Sequence, residues 1–127
     1  MDSLKRSEIV DITLSPTKKN YSLGDQEILR HKKITGIIIT PAGYKSHDGK
    51  DTQDPANAYL QFFDGNNKVI MDVPARLFQA NPGAPLLHVL PISLDSVNWE
   101  KSVLNFESGI TIASNTVFQM TVIYEGS

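Results

Sequence analysis

Thr116-Val117-Phe118-Gln119-Met120-Thr121-Val122-Ile123-Tyr124-Glu125 is the stretch that decides the fold. Phe118, Met120, Val122 and Tyr124 share one face; Val117, Gln119, Thr121 and Ile123 share the other. That period of two, rich in β-branched and aromatic residues, reads as a strand. The same pattern recurs upstream. Glu8 to Leu14 sets Val10, Ile12 and Leu14 on one face, and Asn57 to Phe63 sets Ala58, Leu60 and Phe62 on one face. Asp64-Gly65-Asn66-Asn67 then carries residues that tolerate positive φ, the signal of a hairpin returning along Lys68 to Val73. Ser102 to Glu107 is a further strand, and Ser114-Asn115 turns the chain into the last one. Glu27 to Thr40 reads as one long β-branched segment with a bulge or bend at Gly36, stopped by Pro41. Leu86 to Leu94, interrupted by Pro91, reads as an edge or bulged strand, and Ile110 to Ala113 as a short extended piece. Ala75 to Ala80 allows a single helical turn, too short to stand alone.

About eight strands and no long helix predict an all-β domain, an eight-stranded antiparallel β-sandwich of the single jelly-roll type. An immunoglobulin-like sandwich comes second, because no Cys…Trp…Cys supports it. The expected core faces carry Ile12, Ile37, Ile39, Leu60, Phe62, Ile70, Leu104, Phe106, Phe118 and Val122. The length of 127 residues suits one domain. Residues 1–7 are read as an N-terminal arm and 8–127 as the jelly-roll domain.

Composition excludes several roles. There is no cysteine, so no disulfide framework, thiol nucleophile or cysteine zinc site. A net charge of −2 is wrong for an arginine-rich nucleic-acid binder, and no specific nucleic acid is expected. Met1-Asp2-Ser3-Leu4-Lys5-Arg6 has no apolar run of a secretory signal. No phosphate-binding glycine loop, His-Glu-x-x-His or Gly-x-Ser-x-Gly motif occurs. His31, His47 and His88 lie in three different segments, so a three-histidine metal site is not expected, nor a cupin site, which wants His-x-His. The loop 42–56 holds Asp48, Asp51 and Asp54, but not at the spacing of a calcium loop, and Lys45 and Lys50 offset the charge. No cofactor and no catalytic residue are expected.

Two local features suit contact with a partner. Arg30 and Lys32 share a face of the basic run Arg30-His31-Lys32-Lys33, and Tyr44 sits in the long loop. Residues 1–63 hold nine basic and eight acidic groups and residues 64–127 three and six, so the halves are +1 and −3. That asymmetry favours head-to-tail contact.

The segment Asn98-Trp99-Glu100-Lys101-Ser102 leading into Val103-Leu104-Asn105-Phe106-Glu107, with the strand Val117 to Tyr124, resembles the small single-jelly-roll penton and minor capsid proteins of icosahedral membrane-containing bacteriophages. The hairpin Tyr59 to Asp72 and the run Ile34 to Ile39 fit the same layout. The resemblance implies a non-enzymatic virion structural protein, a homopentamer at a capsid vertex. Its partners would be other copies of itself, the major capsid protein, and a spike protein or the viral membrane. It would be made in the host cytoplasm and located in the virion. Lys5 and Arg6 in the arm, Arg30, Lys32, Tyr44 and Trp99 are the expected assembly residues. The alternative is a carbohydrate- or receptor-binding sandwich, a viral spike or accessory module, using Tyr44 with Tyr21 or Tyr59.

Overall fold

Eight strands follow one another in the computed structural model, which describes residues 5–46, 49–54, 57–79 and 90–125. They are β1 (Lys5–Thr13), β2 (Asn20–Ser22), β3 (Lys33–Ile39), β4 (Asp51–Thr52), β5 (Ala58–Phe63), β6 (Val69–Pro74), β7 (Val103–Phe106) and β8 (Thr116–Glu125). The chain is all-β. Its helical content among the described residues is two 3-10 turns, Glu27–Leu29 and Ala75–Phe78.

β8 is the spine of the first sheet. It pairs antiparallel with β1 from Lys5↔Glu125 to Thr13↔Val117, and on its other side with β3 from Lys33↔Glu125 to Ile39↔Met120. Beyond the end of β3, β4 pairs with β8 in parallel, Asp51 opposite Thr116. The expected purely antiparallel arrangement is therefore corrected at this one pair. The loop after β3 reverses the chain, aided by Gly43 at φ 96, so β4 meets β8 running the same way. Residues 90–94 flank the far edge of β3: the Ile34 N–H donates to the Leu94 carbonyl at 2.8 Å, and the Leu94 N–H returns the bond at 3.1 Å. The second sheet has the order β2-β7-β5-β6, all antiparallel.

The bulge at Gly36 decides which side of β3 is buried. Ile34 pairs with Tyr124 and Gly36 with Ile123, so Thr35 is an extra residue. One extra residue flips the alternation that follows. Ile34 faces the core before the bulge, and Ile37 and Ile39 face it after. Without the bulge, Ile38 would point inward instead.

The two sheets share one core. Phe106 of β7 meets Phe118 of β8 edge to face, centroids 6.4 Å apart, and Tyr21 packs on Phe106 at 6.3 Å. Nine of the ten expected core residues are buried. Ile70 is half-buried, because it is the extra residue of a second bulge opposite Phe62 and Phe63 on the edge strand β6.

Several expected elements differ. Glu27 to Thr40 is not one strand: Glu27–Leu29 coils as a 3-10 turn that buries Leu29, and His31 at φ 61 redirects the chain into β3. Only Ile28 is β-branched before Lys33, so the extended preference is confined to the second half. Asn20–Ser22 forms the short strand β2. Its Tyr21 is buried, with the hydroxyl 2.6 Å from the Lys18 carbonyl and accepting the Ser15 N–H at 2.9 Å. Ile110 to Ala113 forms no strand, although Ile112 is buried. The first four residues of the expected strand Leu86 to Leu94 lie outside the described residues. Lys5, Arg6 and Ser7, expected in an arm, begin β1, because β8 is long enough for Glu125, Tyr124 and Ile123 to pair with them.

On the outer face of the second sheet the Tyr59 hydroxyl donates to Glu107 Oε1 at 2.9 Å. That bond, and then the carboxylate's charge, hold the phenol proton above the ordinary tyrosine range. The bonded form is the neutral phenol. Its contribution is complete below the ordinary tyrosine pKa and is lost as pH rises through the raised one. Glu107→Gln is expected to bring the ultraviolet ionisation of Tyr59 down toward the ordinary value. An unchanged titration would show that the pair does not form.

Candidate functional site

Three chain connections meet at one end of the domain. They are residues 23–32 between β2 and β3, the hairpin turn 64–68 between β5 and β6, and residues 95–102 leading into β7. Each is held by backbone bonds. Asp64 bridges Val97, the Asn98 N–H donates to the Phe63 carbonyl at 2.8 Å, and the Leu23 N–H to the Ser102 carbonyl at 2.9 Å. The Ser22 hydroxyl donates to the Glu100 carbonyl at 2.7 Å. Between them opens a cleft of about 360 Å³ lined by Asp25, Arg30, His31, Gly65, Ser96, Val97, Asn98, Trp99 and Glu100. Its size lies at the small end of ligand sites.

The hairpin side is built by its own sequence. Asp64 Oδ1 accepts the N–H groups of Asn66 at 2.8 Å and Lys68 at 3.0 Å, and Asn67 takes φ 61. Asp and Asn favour such turns because their short side chains bond the backbone nearby. On the opposite wall the Arg30 guanidinium grips Asp25 with two bonds, Nε to Oδ1 at 2.9 Å and Nη2 to Oδ2. Asp25 raises the affinity of Arg30 for its proton, first through these bonds and then through its charge. The pair is half exposed, so solvent screens it and it adds little to stability.

The floor is more firmly set. Trp99 is 3% exposed and packs edge to face on Phe62, centroids 5.7 Å apart. Its Nε1–H is buried without a hydrogen-bond partner. Buried indole N–H groups ordinarily have one. Ser102, fully buried, ties the cleft together: its hydroxyl donates to the Asn98 carbonyl at 2.8 Å and accepts the Phe63 N–H at 3.1 Å. Ser102→Ala leaves the Phe63 N–H without that acceptor, and is expected to cost about 1–3 kcal/mol. Urea unfolding measures this; a loss below the usual scatter of surface substitutions, about 0.5 kcal/mol, would refute it. Two non-glycine residues of the lining, His31 at φ 61 and Ser96 at φ 55, hold left-handed backbone. Such strained positions gather at functional sites.

The expected assembly residues are dispersed. Arg30 and Trp99 are brought together at the cleft. The Trp99 ring is buried in this chain's own core and has almost no surface to present. Lys32 is half-buried and engaged by a neighbour, and the basic run does not alternate, because the 3-10 turn and His31 break it. Arg6 is exposed on β1. Lys5 is placed by register opposite Glu125, which also faces Lys33 across β3. Tyr44 is exposed but stands in the β3–β4 connection, at the opposite end from the cleft. Of the other candidate tyrosines, Tyr21 is buried and Tyr59 is held by Glu107.

Among the described residues the acidic loop gathers no cation site. Asp51 accepts from Lys45 Nζ, Asp54 is engaged, and Asp48 lies outside the described residues, as do His47 and His88. Among the described residues no three His, Asp or Glu side chains converge. Among them, too, no helix is long and apolar enough to cross a membrane. What sequence reasoning missed is the cleft itself; Asp25, Ser96 and Asn98 carried no motif. Comparison with family models, with curated proteins and with solved structures finds no match to this chain.

Proposed function

We propose that this chain is a single jelly roll acting as a non-enzymatic structural subunit of a virion, a ring of five at the vertex of an icosahedral shell. The observation that carries the reading is the nesting of the strand pairs. β1 pairs with β8, β2 with β7, β3 with residues 90–94, and β5 with β6. This is one long antiparallel hairpin with its tip at residues 64–68. Rolling it up brings β8 against β3 and β7 against β5, which are the two remaining antiparallel contacts. A rolled hairpin of eight strands is the plan of a jelly roll, with β4 an insertion in the β3–β5 connection. Such a domain presents flat sheet faces and two loop-bearing ends, a wedge that tiles around an axis through unlike patches.

Partners on this reading are neighbouring copies, the major capsid protein, and a spike or the viral membrane, with the protein located in the virion. The direct test is native mass measurement of the purified protein together with analysis of purified particles. A mass of five times 14.1 kDa and presence in particles support the reading. A monomer at high concentration that is absent from particles refutes it.

The cleft favours a second reading, a carbohydrate- or receptor-binding module. Its Asp25–Arg30 pair is satisfied internally, while the Asn98 amide in the lining suits a neutral, hydrogen-bonding ligand such as a sugar. Trp99 is the only tryptophan, so its fluorescence reports on the cleft without interference. Titration with glucose, galactose, mannose and N-acetylglucosamine should perturb it in the wild type and not in Arg30→Ala. No response to any of the four removes the second reading.

A further inference from the structure

The outer faces of the two sheets differ in charge. In the first sheet the odd-numbered residues of β1 and β8 turn away from the core, since Val10, Ile12, Phe118, Met120 and Val122 are buried. Register sets Thr121 between Ile9 and Ile38, with Ile123 the next outward residue on β8. Ile9 is 49% exposed. The middle of this face is therefore built of uncharged, β-branched side chains. Asp11, the next outward residue on β1, has its carboxylate oxygens buried and is engaged within the chain. Lys33 and Glu125 lie opposite each other at one end of the face. The solvated face of an antiparallel sheet ordinarily carries polar residues. Depletion of charge at the centre is instead the composition of an interface core.

On the second sheet Phe63 lies beside Val69, which is 43% exposed, and Val103 lies beside Gln61. These residues turn outward because Leu60, Phe62 and Leu104 are buried. Two carboxylates border them: exposed Asp72, opposite Gln61, and Glu107, held by Tyr59. No outward position of these strands is Lys or Arg.

We infer, resting on the reading of this chain as a ring of five, that the two outer faces are the unlike patches of that ring. Ile9, Thr121, Ile38 and Ile123 of one copy pack on Phe63, Val69 and Val103 of the next, taking apolar surface of both out of water. Charge selects the pairing. The second face against itself brings Asp72 and Glu107 toward like charges, which is disfavoured. The first face has an uncharged centre to receive it, with the exposed Lys33 at the rim to meet a carboxylate. The first face against itself is an isologous contact, complete at two copies, whereas a ring joins different patches at every contact.

Native mass measurement of Ile9→Lys and Val69→Lys tests this. Each substitution puts an ammonium group into every contact of the ring, one from the first face and one from the second. Both positions are about half exposed, and circular dichroism should show the wild-type fold in both variants. The wild type should have five times 14.1 kDa, and each variant alone a fivefold lower mass. An equimolar mixture of the two variants retains one intact combination, the first face of Val69→Lys on the second face of Ile9→Lys. It should give pairs on glutaraldehyde cross-linking and nothing larger. A wild type of one copy removes the ring and this contact with it. A wild-type ring of five that both variants retain overturns the contact and leaves the ring standing. Variants that stay five-membered but are missing from purified particles overturn it too, and assign the faces to the shell. Pairs formed by Val69→Lys alone, or none in the mixture, overturn it as well.

Discussion

Phe118→Ala is expected to remove about 3–5 kcal/mol of stability, roughly a fifth or more of the ~5–15 kcal/mol a domain of this kind has to lose. Phe118 is completely buried on the inner face of β8. It meets Phe106 of the opposite sheet edge to face, so truncation opens a cavity between the sheets. Both neighbours of β8 are held in register along most of their length. Such a constrained site collapses little, which places the cost toward the upper part of the range. Urea unfolding should show a lower midpoint at unchanged slope. A loss below about 1.5 kcal/mol, far under the usual cost of a buried Phe→Ala, would mean that the two sheets repack around the gap, and that Phe118 is not the keystone of this core.

Trp99→Ala is expected to cost about as much, roughly 3–5 kcal/mol, and to do so in the isolated subunit. The ring is almost fully buried against Phe62, with an edge-to-face contact worth about 0.5–1.5 kcal/mol beyond area burial. Trp99→Phe should keep much of the stability, and loses nothing by deleting an indole N–H that has no partner. Thermal unfolding at a concentration low enough to leave only the basic unit decides the matter. At this chain length each kcal/mol moves the midpoint by about 2–8 °C, so the alanine variant should fall by roughly 10 °C or more. A residue whose role was assembly would leave the isolated subunit unmoved and weaken only the oligomer.

The two substitutions separate what is read locally from what is not. Alternation along Thr116–Glu125 is enough to mark Phe118 as inward, since a strand has two faces and only one can meet the core. Trp99 lies in a connector without periodicity, and nothing local says whether its ring turns in or out. The cleft is harder still. Asp25, Arg30, Gly65 and Asn98 are each ordinary residues of polar connections. They line one opening because the β5–β6 turn and residues 95–102 are stitched together by Asp64↔Val97 and the Asn98–Phe63 bond.

Local sequence is sufficient for the all-β class, the strands β5, β6, β7 and β8, most of β1, the turn at residues 64–67, and the bulge near Gly36. These rest on side-chain alternation, β-branching and turn chemistry, which act between residues close along the chain. The remainder comes from tertiary contacts. β2 and β4 are three and two residues long, too short to have a signal of their own, and are strands because β7 and β8 offer open backbone groups beside them. Which strand lies beside which, the parallel turn of β4 against β8, and the meeting of three distant loops at the cleft depend on contacts between segments far apart. Their energy comes from burying both inner faces at once, and no local stretch of residues carries that information.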